Sequence, residues 1–247
     1  MRRKRRLSSS IRWGNNSSRS KGGLLLSAAL LATLASLVYW FFATDDFYIY
    51  EIKVVGNRFV SSEEIFEASG LNELSIFWVE PEKVEEAVSN LTAVKSAKVR
   101  CYLPSEVIIE VVEREPQIVW QSGEARYWVD KEGVVLPIRG ELEGMPIVED
   151  VDQIAIQPGE RVDPRVVSSA RKLKFLLPEV SVLRYSRSKG ISFLHEGGWP
   201  IYLGIGDMEE KVAILKALVQ RLSAEGIKPG FIDLRFKESP FFSVQKT

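Results

Sequence analysis

The segment "GFIDLRFKESPFF", residues 230–242, places Asp233, Arg235, Lys237 and Glu238 within six positions, a density of ionisable groups that acid–base chemistry would use. Such chemistry needs a group of matched pKa within hydrogen-bond reach of a reacting atom. Here, however, Phe231, Asp233 and Arg235 share one parity and Ile232, Leu234 and Phe236 the other, so a strand with an apolar face and charges on the opposite side accounts for the pattern. Asp130 and Glu132 fall in "VDKEG", read as a solvated turn without a reacting partner. The only histidine, His195, ends a strand beside Glu196-Gly197-Gly198, where an exposed loop histidine is expected. Gly204-x-Gly206 lacks the third glycine and the preceding βαβ unit of a dinucleotide loop and reads as a strand-to-helix turn. The sequence has neither a metal-ligand cluster nor a Gly-x-Ser-x-Gly elbow. The expectation is a protein that is not an enzyme and carries no cofactor or metal.

What, then, do the elements around these residues position? At 247 residues, 45% hydrophobic and 27% charged, the chain can hold one or two domains with cores. Its formal charge of zero conceals an asymmetry. Arg2, Arg3, Lys4, Arg5, Arg6, Arg12, Arg19 and Lys21 stand in the first 21 residues without an acid, leaving 25 basic groups against 33 acidic ones. That acidic body is a poor nucleic-acid binder, and no nucleic-acid partner is expected. Cys101 is the only cysteine, so no intrachain disulfide exists; its parity with Ala97, Val99 and Leu103 places it in a strand core.

Between tail and body runs "LLLSAALLATLASLVYWFFA", residues 24–43, without a charge. As a helix these residues span about 30 Å, the thickness of a bilayer core. Tyr39 and Trp40 suit the headgroup layer and Asp45-Asp46 begin the aqueous side; the basic flank directs the amino terminus to the cytoplasm. The run is too long for a signal peptide and leaves through Tyr-Trp-Phe-Phe rather than through small residues. Residues 8–21 lack apolar periodicity and read as a flexible cytoplasmic tail whose arginines set topology and contact membrane lipid.

Beyond the membrane the chain reads as two modules. In the first, "YIYEIKVVGN" alternates as one strand, "SSEEIFEASG" is a helix with a capping box from Ser61 to Glu64 and a stop at Gly70, and 81–90 is a second short helix. "VKSAKVRCYL" and "EVIIEVVERE" pair as a hairpin through Pro104-Ser105, giving β-α-α-β-β. The second module has short strands at 118–120, 126–129 and 134–136, then a helix capped by Asp163 with Pro164 at its first position. "VSVLRYS", "GISFLHE" and "WPIYLGI" are further strands. A helix follows with Met208, Val212, Leu215 and Leu222 on one stripe, and "FIDLRF" is the next strand. The fold class is α+β: a transmembrane helix, a β-α-α-β-β domain, and a carboxy-terminal α/β domain with an extended mixed or antiparallel sheet. Boundaries are a tail at 1–23, the transmembrane helix at 24–43, and domains at 47–115 and 116–247.

The β-α-α-β-β order, with "IKVVGN" and "VIIEVVEREP", resembles a POTRA domain, and a single POTRA domain directly after one transmembrane helix is similar to the FtsQ/DivIB family of bacterial division proteins. "EREPQIVWQSGEARYWVDKEGVVLP" resembles that family's junction between its two modules. The resemblance implies a type II inner or plasma membrane protein enriched at the division septum. Its partners would be FtsB/DivIC-like and FtsL-like bitopic proteins, and it would help recruit or regulate the septal peptidoglycan synthase complex. "DLRFKESPFF" resembles the terminal segment that binds the FtsB-type partner. Residues 237–240 are then a turn and 241–244 a last edge strand, with Arg235, Phe236, Glu238, Ser239, Phe241, Phe242 and Val244 as the partner-binding residues, and Phe236 and Phe242 as the anchors. Asn57 and Arg58 form a second docking surface by the same resemblance. Two alternatives remain: a chaperone-like POTRA protein of export, and a membrane-tethered wall hydrolase.

Overall fold

The computed structural model describes residues 21–244; the basic tail over 1–20 and residues 245–247 lie outside it. The chain divides after Phe47 into two units. The first is helix α1 (Lys21–Ala43) followed by a 3₁₀ turn (Asp45–Phe47). Over Gly22–Phe41 its mean hydropathy is 2.0 and none of it is buried, so by length and composition it suits a bilayer core. The Thr33 hydroxyl in mid-helix is satisfied locally, donating to the Ala29 carbonyl at 2.9 Å.

The second unit opens with β1 (Tyr48–Ile49), β2 (Lys53–Val55), α2 (Ser62–Ser69), β3 (Leu74–Ser75), a 3₁₀ turn (Ile76–Trp78), α3 (Pro81–Ser89), β4 (Val94–Tyr102) and β5 (Glu106–Glu113). The expected single strand over 48–55 is two. β1 pairs antiparallel with β3, burying Ile49, whereas β2 pairs in parallel with β5, which is also antiparallel to β4. Alternation marks both pieces as extended but does not say which partner each takes. Ser61 caps α2, its hydroxyl accepting from Glu64 N–H at 3.1 Å, and Gly70 ends it at a φ of 65°. After β2, Gly56 has a φ of 91°, and a Cβ there would meet the Val111 carbonyl oxygen at 2.3 Å, so only glycine fits.

The hairpin outruns its helices. Nine helical residues cover about 14 Å, whereas a nine-residue strand spans about 30 Å. Val99 is therefore buried, Cys101 only half-buried and Leu103 68% exposed, which corrects the expectation of a core running the length of β4. Partial burial pushes the Cys101 thiol pKa up.

The carboxy-terminal part contains β6 (Pro116–Ser122), β7 (Ala125–Asp130), β8 (Val135–Leu136), β9 (Ile147–Asp150), α4 (Pro164–Leu176), β10 (Val182–Ser186), β11 (Gly190–Leu194), β12 (Pro200–Gly204), α5 (Met208–Ala224), β13 (Pro229–Asp233) and β14 (Phe241–Val244). They form one mixed sheet in the order β14-β13-β12-β11-β10-β9-β6-β7-β8. The sequence reading missed β9, which lies between β6 and β10 and is parallel to both. Helices α4 and α5 pack on one face through Val166, Ala170, Leu173, Met208, Val212, Leu215 and Leu222, against Ile118, Trp120, Val148, Leu183, Ile201 and Ile232. Lys211 joins this buried face. Its ammonium donates to the Leu203 and Ile205 carbonyls at 2.8 and 3.3 Å, and burial pushes its pKa down.

Two adjacent residues at the end of β5 tie these parts together. The Glu113 carboxylate accepts the backbone N–H groups of Arg58, Phe59 and Val60 at 2.8–3.0 Å. The Arg114 guanidinium donates to Asp130 at 2.8 Å and to Glu132 at 3.0 Å. Asp130, expected in a solvated turn, is only 3% exposed, because its second oxygen accepts the N–H groups of Glu132 and Val134 at 2.8 and 2.9 Å. The turn closes at Gly133, where a Cβ would meet the Val162 carbonyl oxygen at 2.2 Å. Glu132 also accepts from Lys95 of β4 at 2.6 Å; this bond first, then that to Arg114, holds its carboxyl below the usual range. Glu64 is gripped by both Nη groups of Arg139, Nη2 to Oε1 at 2.7 Å, which lowers its pKa. Phe59 lies edge-on to Trp128 at 5.1 Å.

Removing the Arg114 guanidinium leaves Asp130 buried without its counter-ion. Arg114→Met is expected to cost about 3 kcal/mol in urea unfolding, whereas Arg165→Met, which removes an exposed guanidinium from its pair with Asp163, should leave the urea midpoint essentially unchanged. Equal effects would show that the junction carries no special share of stability.

Candidate partner-binding edge

Strand β13 ends where its own side chains fold the backbone over. Asp233 accepts from the Arg235 N–H at 3.0 Å and from the Arg235 guanidinium at 2.8–3.0 Å. Burial alone would raise the Asp233 pKa; these bonds hold it below the usual carboxylate range and raise that of Arg235. Leu234 remains buried, its N–H donating to the Tyr202 carbonyl at 2.7 Å. Phe236, expected on the apolar face of a strand running to 236, instead follows this bend and is 69% exposed. The turn closes with Ser239 N–H on the Phe236 carbonyl at 3.1 Å, and Lys237 leans back to Glu210 at 2.8 Å. The four charges of the opening segment are therefore used as a turn clasp, a bond to α5 and an exposed Glu238, with no reacting pair among them.

Beyond Pro240, β14 pairs antiparallel with β13, with Asp233 opposite Phe241 and Ile232 opposite Phe242. Its other side pairs with no described strand, so backbone N–H and C=O groups line an open edge. The pleat sends neighbouring aromatics opposite ways. Phe242 turns inward, partly buried against the core under α5, while Phe241 is 58% exposed and Val244 is also exposed. Phe241 continues an aromatic row on the helix-free face: it lies 5.7 Å from Phe231, which lies 6.1 Å from Tyr202, and the Lys189 ammonium sits 4.7 Å over the Tyr202 ring. Sequence reasoning missed Tyr202, Phe231 and Lys189. Strand parity offered a signal, but their meeting depends on β12, β13 and β14 being neighbours.

The other singled-out residues serve local structure. The Asn57 amide donates to the Val60 carbonyl at 3.0 Å, spanning the loop that Glu113 holds, so its side chain is engaged in the fold. Arg58 is exposed, with its guanidinium over the Phe59 ring at 4.8 Å. His195 stacks on Trp199 at 4.0 Å and its Nδ1 accepts the Gly197 N–H at 3.0 Å, so it shapes a hairpin turn and is half-buried rather than exposed. Gly206, before α5, donates its N–H to the Ser169 hydroxyl at 3.1 Å. Among the described residues, no group of three or more His, Cys, Asp or Glu is arranged to hold a metal ion.

Comparison with known proteins covers most of both modules. Residues 47–114 match the model for a POTRA domain of FtsQ type, and residues 118–235 the model for the carboxy-terminal part of cell division protein FtsQ/DivIB. Cell division protein FtsQ of Chloroflexus aurantiacus is 28% identical over 220 residues, 81% of this chain and 74% of that protein. Cell division protein DivIB of Clostridium acetobutylicum is 26% identical over 211 residues, 81% and 84% of the respective chains. Cell division protein FtsQ of Syntrophotalea carbinolica is 27% identical over 204 residues, 78% of this chain and 71% of that protein. With both modules matched and division proteins of that name aligned over most of its length, the chain belongs to the FtsQ/DivIB family of bacterial cell division proteins.

Proposed function

We propose that this protein is a membrane-anchored, non-catalytic scaffold of the divisome whose β14 edge takes a strand from an FtsB/DivIC-type bitopic partner. Together with an FtsL-type partner it would help recruit or regulate septal peptidoglycan synthesis. The observation that carries the reading is the open side of β14, flanked by exposed Phe236, Phe241 and Val244. Strand addition draws affinity from main-chain hydrogen bonds and selectivity from alternate side chains. An exposed aromatic beside such an edge is a suitable anchor, and Phe236 and Phe241 hold that position. Phe242, one of the two anchors expected from sequence, is partly committed to the core. Arg235 is engaged by Asp233, so in this reading a partner carboxylate would compete for it or share it; Glu238 and Ser239 lie on the rim. Pro240 offers no N–H, so pairing starts at Phe241.

Phe236→Ala and Phe241→Ala should each weaken binding of the partner's extracytoplasmic segment by about 2 kcal/mol, roughly 30-fold, with an unchanged circular dichroism spectrum. Phe242→Ala should mainly lower the unfolding midpoint. Unchanged affinity in Phe236→Ala and in a chain ending at Ser239 would place the binding edge elsewhere.

The anchoring reading places the amino terminus in the cytoplasm and everything after α1 outside. In a Cys101→Ser background, a cysteine at Ser10 should resist an impermeant thiol reagent in intact cells, while one at exposed Glu143 is labelled. The reverse pattern would overturn the topology.

A further inference from the structure

Exposed apolar side chains encoded far apart converge on one end of the POTRA unit. β1 and β3 are antiparallel, with Tyr48 opposite Ser75, so the residues after Ser75 run back toward the point where the chain enters the unit. That places the turn Ile76–Trp78 at the entry end, with Phe77 exposed and Trp78 75% exposed. β5 is parallel to β2, with Lys53 opposite Ile108, so the start of β5 and the β4–β5 tip lie beside the start of β2. The tip exposes Tyr102 and Leu103. Exposed Tyr50 lies beside the tip, since Tyr48, Tyr50, Pro104 and Ser105 line one cleft.

This is also the end that the sequence ties to the apolar helix. Residues 44–47 alone separate α1 from Tyr48, and the chain from 43 to 48 reaches at most about 17 Å when fully extended. Tyr and Trp, apolar bodies with a polar tip, partition to the headgroup layer of a bilayer. The charges lining the cleft are Glu51, Lys53 and Glu106, with Asp45 and Asp46 in the tether and Glu80 just after Trp78, a set without the basic cluster that attraction to anionic lipid requires. We propose that this end of the POTRA unit is a lipid-seating surface, with Tyr50, Trp78, Tyr102 and Leu103 dipping into the headgroup layer of the bilayer that α1 spans. The contact is apolar and therefore insensitive to salt. The inference rests on the anchoring reading, and flotation with vesicles tests that separately.

The test uses the full chain with Cys101→Ser in phosphatidylcholine vesicles whose acyl chains are brominated near the headgroup. An environment-sensitive fluorophore is placed at Ser105→Cys, in the tip, or at Glu124→Cys, in the exposed β6–β7 turn. The Ser105 label should be quenched and the Glu124 label not. Trp78→Ser with Leu103→Ser should reduce quenching at Ser105 to the Glu124 level, while the conservative Trp78→Phe with Leu103→Met keeps it; high salt should change neither. Quenching at Ser105 no greater than at Glu124, or quenching that survives the double serine change, would overturn the seat while vesicle flotation still reported an intact anchor. Loss of flotation in the parent chain would overturn both.

Discussion

The Glu113-Arg114 dipeptide is the constraint on which the architecture after α1 depends. Glu113 holds three consecutive N–H groups of the loop after β2, and Arg114 is the counter-ion of buried Asp130 in the next module. Because the two residues are adjacent at the end of β5, the last POTRA strand continues into β6 with both sides fixed. Lys95–Glu132 and Arg139–Glu64 add ion pairs across the same seam, and Phe59 on Trp128 fills it with apolar surface. A buried carboxylate is costly unless fully bonded. Asp130 meets that condition only in the folded junction, which gives the polar cluster a structural purpose.

At the opposite end of the sheet the logic reverses. Asp233 and Arg235 satisfy each other and end β13, so the chain turns and lays β14 down as a last strand with one side unpaired. Proteins usually protect such an edge. Here the neighbouring surface is made apolar by Phe236, Phe241 and Val244, which suits an edge intended to be covered by another chain. The helix-free face adjoining it adds Phe231 and Tyr202, a continuous surface for side chains of an added strand to pack on.

Much of this was legible from sequence where the signal is local. Ser61 and Gly70 bound α2, Asp163-Pro164 start α4, and the Pro104-Ser105 turn joins β4 to β5, because caps and turns are set by side chains within a few residues. Most of the misses are non-local. β9 has only four residues, and its burial comes from parallel neighbours distant in sequence. Asp130 looked solvated because its counter-ion, Arg114, lies 16 positions earlier in the link between β5 and β6. Leu103 looked buried because parity reports a face but not how far the helices above it extend. Phe236 looked internal because alternation was continued past the Asp233–Arg235 clasp, and Phe242 rather than Phe241 faces the core because the register of β14 on β13 decides the parity.

The central claim is that a partner adds to the sheet at β14, and backbone amide protection reads this directly. Hydrogen–deuterium exchange of the full chain, with and without the extracytoplasmic segment of a co-purifying bitopic partner, should show slowed exchange concentrated in residues 241–244, with β2 and β4 of the POTRA sheet unchanged. Protection at β4 or β2 without any at 241–244 would contradict the account.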